Sequence, residues 1–215
     1  KLHVKLPIFV ARQWIRHRTA SVNEYSARYS VLEDEFYTPE PEHMAAQATT
    51  NRQGRADALE GADANAALQE IEANDRRAYQ SYLSLLNRDE AGEAIDAARA
   101  GLARELARMV LPLNTYTQWY WKTDLHNLLH FIALRADPHA QYEIRAYALV
   151  LLDVVRRWVP LTCEAFENYR TGGAELSAKA LEVIRARLRG EQVTRETSGL
   201  SAREWRELTG VLQPD

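Results

Sequence analysis

The sequence predicts an α/β chain of the α+β kind, a mixed sheet with helices packed on it, and three observations carry that reading. The opening KLHVKLPIFV alternates Leu2, Val4 and Leu6 with polar residues, the two-residue period of a half-buried strand. TYTQWYW, Thr115 to Trp121, is dense in the β-branched and aromatic residues that favour strands. Several longer segments between and after these place apolar residues at helical spacing.

Each element follows in turn. Pro7 stands where a first helical turn tolerates proline, and IFVARQWIRHR continues as a helix. Ile8, Ala11 and Ile15 share one face of it, with Arg12, Gln13 and Arg16 on the polar side. TASVNEYSARYS is rich in hydroxyls, has no clean period and reads as a loop. EFYTPEPE is a short extended piece stopped by Pro39 and Pro41. Residues 45–65 carry few bulky apolar side chains and read as a mobile connection. It runs into a helix over about 66–87 that turns Ile71, Tyr79, Tyr82, Leu83 and Leu86 to a core. A second helix, over about 91–111, is stopped by Pro112. DLHNLLHFIALRAD is again helical. Asp137 as N-cap and Pro138 at the first helical position then open a helix to about Trp158. That helix is apolar around most of its girth, the pattern of burial on several sides, and so of a subunit interface as well as a core. Near the end, Ser201 and Glu204 form a capping box inside a Leu200/Trp205 staple.

With 215 residues, 46% of them apolar and 27% charged, the composition is that of an ordinary globular protein. The net charge of −3 gives no general attraction to nucleic acid or an anionic membrane. A single cysteine, Cys163, excludes an internal disulfide framework and a cysteine metal cluster. No apolar run reaches the roughly 18 residues of a membrane span, and no signal-peptide layout is visible. A reducing, cytoplasmic setting is expected. The chain opens on a strand without a partner, so native sequence before Lys1 is expected too.

Against that background, the stretch RHRTASVNEYSARY stands out. Arg12 to Arg28 holds four arginines against one acid, Glu24. Guanidinium forks match phosphate and other planar oxyanions, and Ser21, Asn23 and Ser26 supply neutral donors and acceptors around such a ligand. Glu24 can accept from a ribose hydroxyl or a base N–H, or orient an arginine. A solvated helix end is the plainer alternative. A second cluster, Asp124, His126, His130 and Arg135, lies in DLHNLLHFIALRAD. His126 and His130 share a helical face, but Asn127 stands where a metalloprotease helix carries Glu, so zinc fits poorly. Arg108, alone, reads as a cation offsetting a helix dipole. No phosphate-binding glycine loop and no serine elbow occurs.

RHRTASVNEYS fits the R-H-R-x7-S signature of the flavin-dependent thymidylate synthases. PIFVARQWIRHR, NEYSARYS, ARMVLPLNTYT and LRADPHAQYEI resemble family segments in order and spacing, from about Leu2 to Tyr169. The resemblance implies that fold as a homotetramer with active sites between subunits and a synthase domain over 1–170, while residues 171–215, outside the resemblance, read as a helical extension. It implies reductive methylation of deoxyuridine monophosphate (dUMP), with methylenetetrahydrofolate as carbon donor and FAD, reduced by NADPH, as hydride source. By resemblance, Arg16, His17 and Arg18 meet the flavin, and Arg16 also reaches the nucleotide. Gln13, Ser26 and Arg28 match positions that hold dUMP, largely by its phosphate, and Trp14 and Tyr25 belong to the same nucleotide-binding set. Glu24 matches an acid between flavin and nucleotide, and Arg108 an arginine contributed by another subunit. Arg135 matches the catalytic arginine that activates the uracil ring, and Asp124, His126 and His130 fall at flavin-contact positions. The family's N-terminal segment, with a His/Thr/Pro/Phe/Glu/His-type flavin motif, does not occur in this sequence. The alternative is a non-catalytic nucleotide- or RNA-binding module resting on the basic segment and the aromatic strand, which steep salt dependence of oligonucleotide binding would distinguish.

Overall fold

A computed structural model describes residues 1–49 and 54–212. The chain forms two compact units, Lys1–Val154 and Val155–Asp215. In the first unit, strand β1 (Leu2–Pro7) leads into helix α1 (Ile8–Trp14), followed by strand β2 (Ser21–Glu24). A small hairpin of β3 (Ala45–Gln47) and β4 (Arg55–Ala58) precedes the long helix α2 (Gly61–Leu86) and the single turn α3 (Arg104–Ala107). Strand β5 (Tyr116–Lys122) and helix α4 (Leu125–Arg135) lead to α5 (Tyr142–Trp158), whose last residues belong to the second unit.

β5 lies between β1 and β2 and pairs antiparallel with both, Val4 opposite Trp119 and Glu24 opposite Trp119 on the other side. The α+β class stands, but the expected mixed sheet is antiparallel throughout its described strands. β2 comes from a stretch expected as a loop. As a short edge strand with only Val22 half-buried, it carries no hydrophobic alternation, and its pairing is supplied by β5. On β5 the alternation is kept: Trp119 and Trp121 are buried, while Tyr120 is exposed. The tryptophans of this strand therefore face the core and offer no stacking platform for bases.

That core centres on Trp14, 1% exposed. Its ring stacks on Phe131 at 4.5 Å and meets Trp121 and Trp119 edge-on at 5.4 and 5.9 Å. Rings this close add directional attraction to the burial of their large apolar area. The first N–H groups of α1 have no helical partner, and the chain before β5 supplies carbonyls: Ile8 N donates to Thr115 O and Phe9 N to Leu113 O. The start of α1 is thus held to the sheet and its end to α4.

Three boundaries differ from expectation. Of the connection expected over 45–65, residues 50–53 lie outside the described residues, and the rest forms the hairpin and the start of α2. The helix expected over 91–111 shrinks to α3 and a 3-10 turn at Arg108–Val110. Asp89 accepts from the N–H groups of Gly92 and Glu93, folding the chain back where alanine-rich composition favours a helix. Asp137 caps a turn rather than a helix, its side chain accepting from His139 N at 2.8 Å, so α5 starts at Tyr142. On α5, Ile144, Ala148, Leu151 and Leu152 are buried, whereas Leu149, Val150 and Val154 are exposed.

The second unit holds α6 (Pro160–Phe166), a π turn at Glu167–Thr171, α7 (Ala178–Leu188) and α8 (Ala202–Leu212). Ala180, Val183, Leu200 and Leu208 form its core with Trp205 against them. The capping box is present: Glu204 N donates to Ser201 Oγ at 3.2 Å and Ser201 N to Glu204 Oε2 at 2.9 Å. Cys163 is buried here, and burial pushes its thiol up, away from the reactive thiolate. Among the described residues, no helix is long and apolar enough to cross a membrane.

Candidate active site

The basic stretch begins where α1 stops. Arg16 N donates to Gln13 O and His17 N to Trp14 O, a tightening that closes the helix while buried Trp14 fixes its end. Arg16 and Arg18 are exposed, and His17 is half-buried. The His17 ring lies 5.5 Å from that of His130 and 5.6 Å from the edge-on ring of Phe131. Burial, then the His130 and Arg135 charges, lower its pKa, partly offset by a hydrogen bond to the Asn127 backbone. His17, His130 and Arg135 thus form one group at the junction of α1 and α4.

Five buried polar atoms in and around this region lack a partner among the described residues: the indole N–H groups of Trp14, Trp119 and Trp121, which belong to the core, and one atom each of Arg135 and Gln13. Arg135 Nε and Gln13 Oε1 are buried and make no hydrogen bond among the described residues. Burial also lowers the Arg135 guanidinium from its usual value. A buried donor left unmet is costly, and sites that bind a polar ligand are where such groups occur. An unmet guanidinium N–H, an unmet amide carbonyl and histidine rings beside Phe131 suit a flat heteroaromatic ring with carbonyl and ring N–H edges. These residues fit a flavin or a pyrimidine.

The second half of the stretch builds a cleft. β2 ends at Glu24, and Tyr25 N still donates to Gln118 O at 2.8 Å, after which the chain turns so that Tyr29 N reaches Ser26 O. The loop is pinned at Leu32, whose N–H donates to Tyr82 Oη and whose carbonyl accepts from Tyr79 Oη, both on α2. Glu24, Tyr25, Ser26 and Arg28 line a cleft of about 430 Å³ together with Arg108, Leu111, Tyr116 and Thr117. Glu24 is held in place by Thr117 Oγ1, which donates to its Oε1 at 2.7 Å. Two guanidiniums, four hydroxyls and one fixed carboxylate in a cleft of this size suit a phosphorylated small molecule.

Five of the residues singled out from sequence therefore meet in one cleft, and His17, His130 and Arg135 meet in a second group. Others serve the fold. Trp14 is core. Asp124 is the N-cap of α4, accepting from Asn127 N at 2.9 Å, and these bonds hold its carboxyl below the usual range. His126 is exposed in the first turn of α4. Thr117 was not singled out from sequence. Its signal was a small hydroxyl on the face of β5 that otherwise carries Trp119 and Trp121.

A larger cleft of about 660 Å³ lies between the β3–β4 hairpin and residues 138–145, and it contains none of these residues. Two of its lining residues, Arg55 and Gln141, are bound to Glu143, which lies outside the lining. Glu143, 5% exposed, accepts from Arg55 Nη2 at 2.6 Å, from Gln141 Nε2 at 2.9 Å and from Tyr37 Oη at 3.0 Å. Burial pushes the Glu143 carboxyl up, and these donors outweigh it, leaving the group below its usual value.

Residues 1–161 match the family described as thymidylate synthase complementing protein. The chain is 60% identical over 214 residues to a flavin-dependent thymidylate synthase of Rickettsia bellii, covering 99% of this chain and 73% of that protein. It is 58% identical to those of Ruegeria pomeroyi and Gluconobacter oxydans, covering 99% of this chain in both cases and 68% and 67% of those proteins. Among solved structures, a UMP/dUMP methylase, PolB, of Streptomyces cacaoi bound with 5-Br UMP is similar with a TM-score of 0.68 and 31% identity. That match covers 78% of this chain and 72% of the methylase.

Proposed function

The chain belongs to the flavin-dependent thymidylate synthase family, and on that premise we propose that it methylates dUMP reductively to thymidylate, with methylenetetrahydrofolate as carbon donor and NADPH as reductant. The observation that carries this reading is the cleft in which Glu24, Tyr25, Ser26, Arg28 and Arg108 converge. Arg28 and Arg108, with Ser26, hold the nucleotide phosphate as charge-assisted donors. Glu24, held by Thr117, matches the family's acid between nucleotide and flavin and would accept a hydrogen bond from either. FAD, when bound, supplies the hydride. Arg16, His17, Arg18 and His130 hold it, with Asp124 and His126 at its margin and Gln13 and Trp14 backing the nucleotide side.

Arg135 is the catalytic residue in this reading. A guanidinium beside the uracil N–H and carbonyl favours the ionised ring, which raises the nucleophilicity of the carbon that accepts the one-carbon unit. Its unmet Nε supports that role. No protein thiol is required, in keeping with the burial of Cys163. We further propose a cytoplasmic homotetramer with active sites between subunits, the cleft that holds Arg108 being completed by a neighbouring chain. Met109, Val110 and Leu113, 72%, 40% and 52% exposed beside that arginine, support an interface there.

A visible absorption spectrum tests the cofactor assignment. Purified protein supplied with FAD is expected to retain the bound flavin absorbance through gel filtration and to lose it when NADPH is added anaerobically with dUMP. Arg135→Ala is expected to keep nucleotide binding within about tenfold and lose thymidylate formation by on the order of 10²-fold. Absent flavin retention, or undiminished turnover in that variant, would count against these assignments.

A further inference from the structure

We infer that Asn87 is a positioning residue of the nucleotide cleft: by closing residues 88–103 onto the end of α2, it sets where Arg108 stands. This rests on the proposed reading of Arg108 as a nucleotide-phosphate ligand.

Asn87 follows α2 directly and is 4% exposed. It is the one non-glycine residue with positive φ among the described residues, at +55°. The left-handed conformation is one that Asn tolerates better than most side chains. Its amide is fully occupied. Nδ2 donates to Asp96 O and Arg99 O, both at 2.7 Å, and Oδ1 accepts from Asp96 N at 3.0 Å and Arg99 Nη2 at 3.2 Å. A carboxamide has two N–H groups and two lone pairs on oxygen, so this side chain is satisfied by the loop alone.

The main chain repeats the pattern. Ile95 N donates to Asn87 O, and Leu102 N donates to Leu85 O at 2.7 Å. Arg99 Nη2 also reaches Ser84 O at 3.0 Å. The chain leaves the last turn of α2 and returns to it. Two residues after Leu102, α3 begins, and Ala107, fully buried, packs on Tyr82, Leu83 and Leu86 of the same helix end. Arg108 is the next residue. α3 is a single turn, too short to hold itself, so Arg108 is located by Ala107 on one side and by the closed loop on the other. Tyr79 and Tyr82 of the same helix hold Leu32, and with it the loop that carries Arg28. The C-terminal part of α2 thus anchors both arginine-bearing segments of the cleft, and Asn87 serves the one that carries Arg108.

Asn87→Gly keeps the backbone conformation available and removes the four side-chain bonds. Calorimetric titration with dUMP of the wild type, Asn87→Gly, Arg108→Ala and the double variant reads the coupling. Each single variant is expected to weaken dUMP about tenfold or more, and the double variant to bind within about twofold of Arg108→Ala. In turnover, Asn87→Gly is expected to raise KM for dUMP far more than it lowers kcat. A purely structural role predicts losses that multiply in the double variant, and that result would overturn the inference, as would wild-type affinity in Asn87→Gly beside a weakened Arg108→Ala. Wild-type affinity in Arg108→Ala would instead overturn the reading of Arg108, and this inference with it. Should Asn87→Gly fail to fold, Arg99→Ala, which removes the exposed side chain that bonds Ser84 O and Asn87 Oδ1, carries the same cycle to the same outcomes.

Discussion

Thr117 and Glu24 show how a residue acquires a role from its neighbours. In sequence, Glu24 is a lone acid among cations and Thr117 a strand residue. Pairing of β2 with β5 brings the threonine hydroxyl to the carboxylate and fixes one of its oxygens at the cleft wall. The identity of Glu24 was legible as chemistry, but the bond that holds it depends on a pairing 93 residues apart in the chain. Conversely, Trp14 lies inside a stretch that the family resemblance assigns to the nucleotide, and yet its side chain is core, packed on Phe131, Trp119 and Trp121. His17 gives a pH dependence whose sign is fixed. Its folded pKa is lowered below the usual 6.5, first by burial, so the unfolded chain binds the proton more readily and stability falls as pH drops below that value. Thermal unfolding of ligand-free protein at about pH 5.5 and about pH 7.5 is expected to show the loss, and His17→Gln to reduce it. An unchanged pH dependence in His17→Gln would contradict the burial of that ring.

Among elements, those with a strong period were legible and those set by long-range pairing were not. The capping box of α8, the tyrosine face of α2 and the alternation of β5 all follow the sequence. The segment over 91–103 did not, because alanine-rich composition favours a helix wherever nothing competes. Here the competitor is Asn87, whose amide bonds the backbone at two points of the loop, together with the Asp89 turn. Gly101 marks how closely the loop is seated: a Cβ at this position would collide with the Leu86 carbonyl. Gly101→Ala is therefore expected to destabilise the protein by about 1–3 kcal/mol in a denaturant titration, the usual range for an overpacked contact. A neutral or stabilising result would show that the loop does not lie on α2 in solution.

For the whole molecule, the residues that sequence assigns to one active site divide into two groups within a single chain. One is the anionic-ligand cleft with Arg28 and Arg108, and the other is His17, His130 and Arg135 beside Phe131. Sequence alone names both groups through a family signature, but the division depends on where β2 and α4 run, which no local pattern encodes. The proposed assembly, in which neighbouring subunits complete one another's sites, would reconcile the division with a single reaction, and the exposed apolar residues beside Arg108 are surface it would bury. The most direct test is product formation. Incubated anaerobically with dUMP, methylenetetrahydrofolate, FAD and NADPH, the protein is expected to form thymidylate and tetrahydrofolate, and to form neither when any one component is omitted. Thymidylate formed without flavin, or none formed with all four present and dUMP bound, would contradict a flavin-dependent synthase.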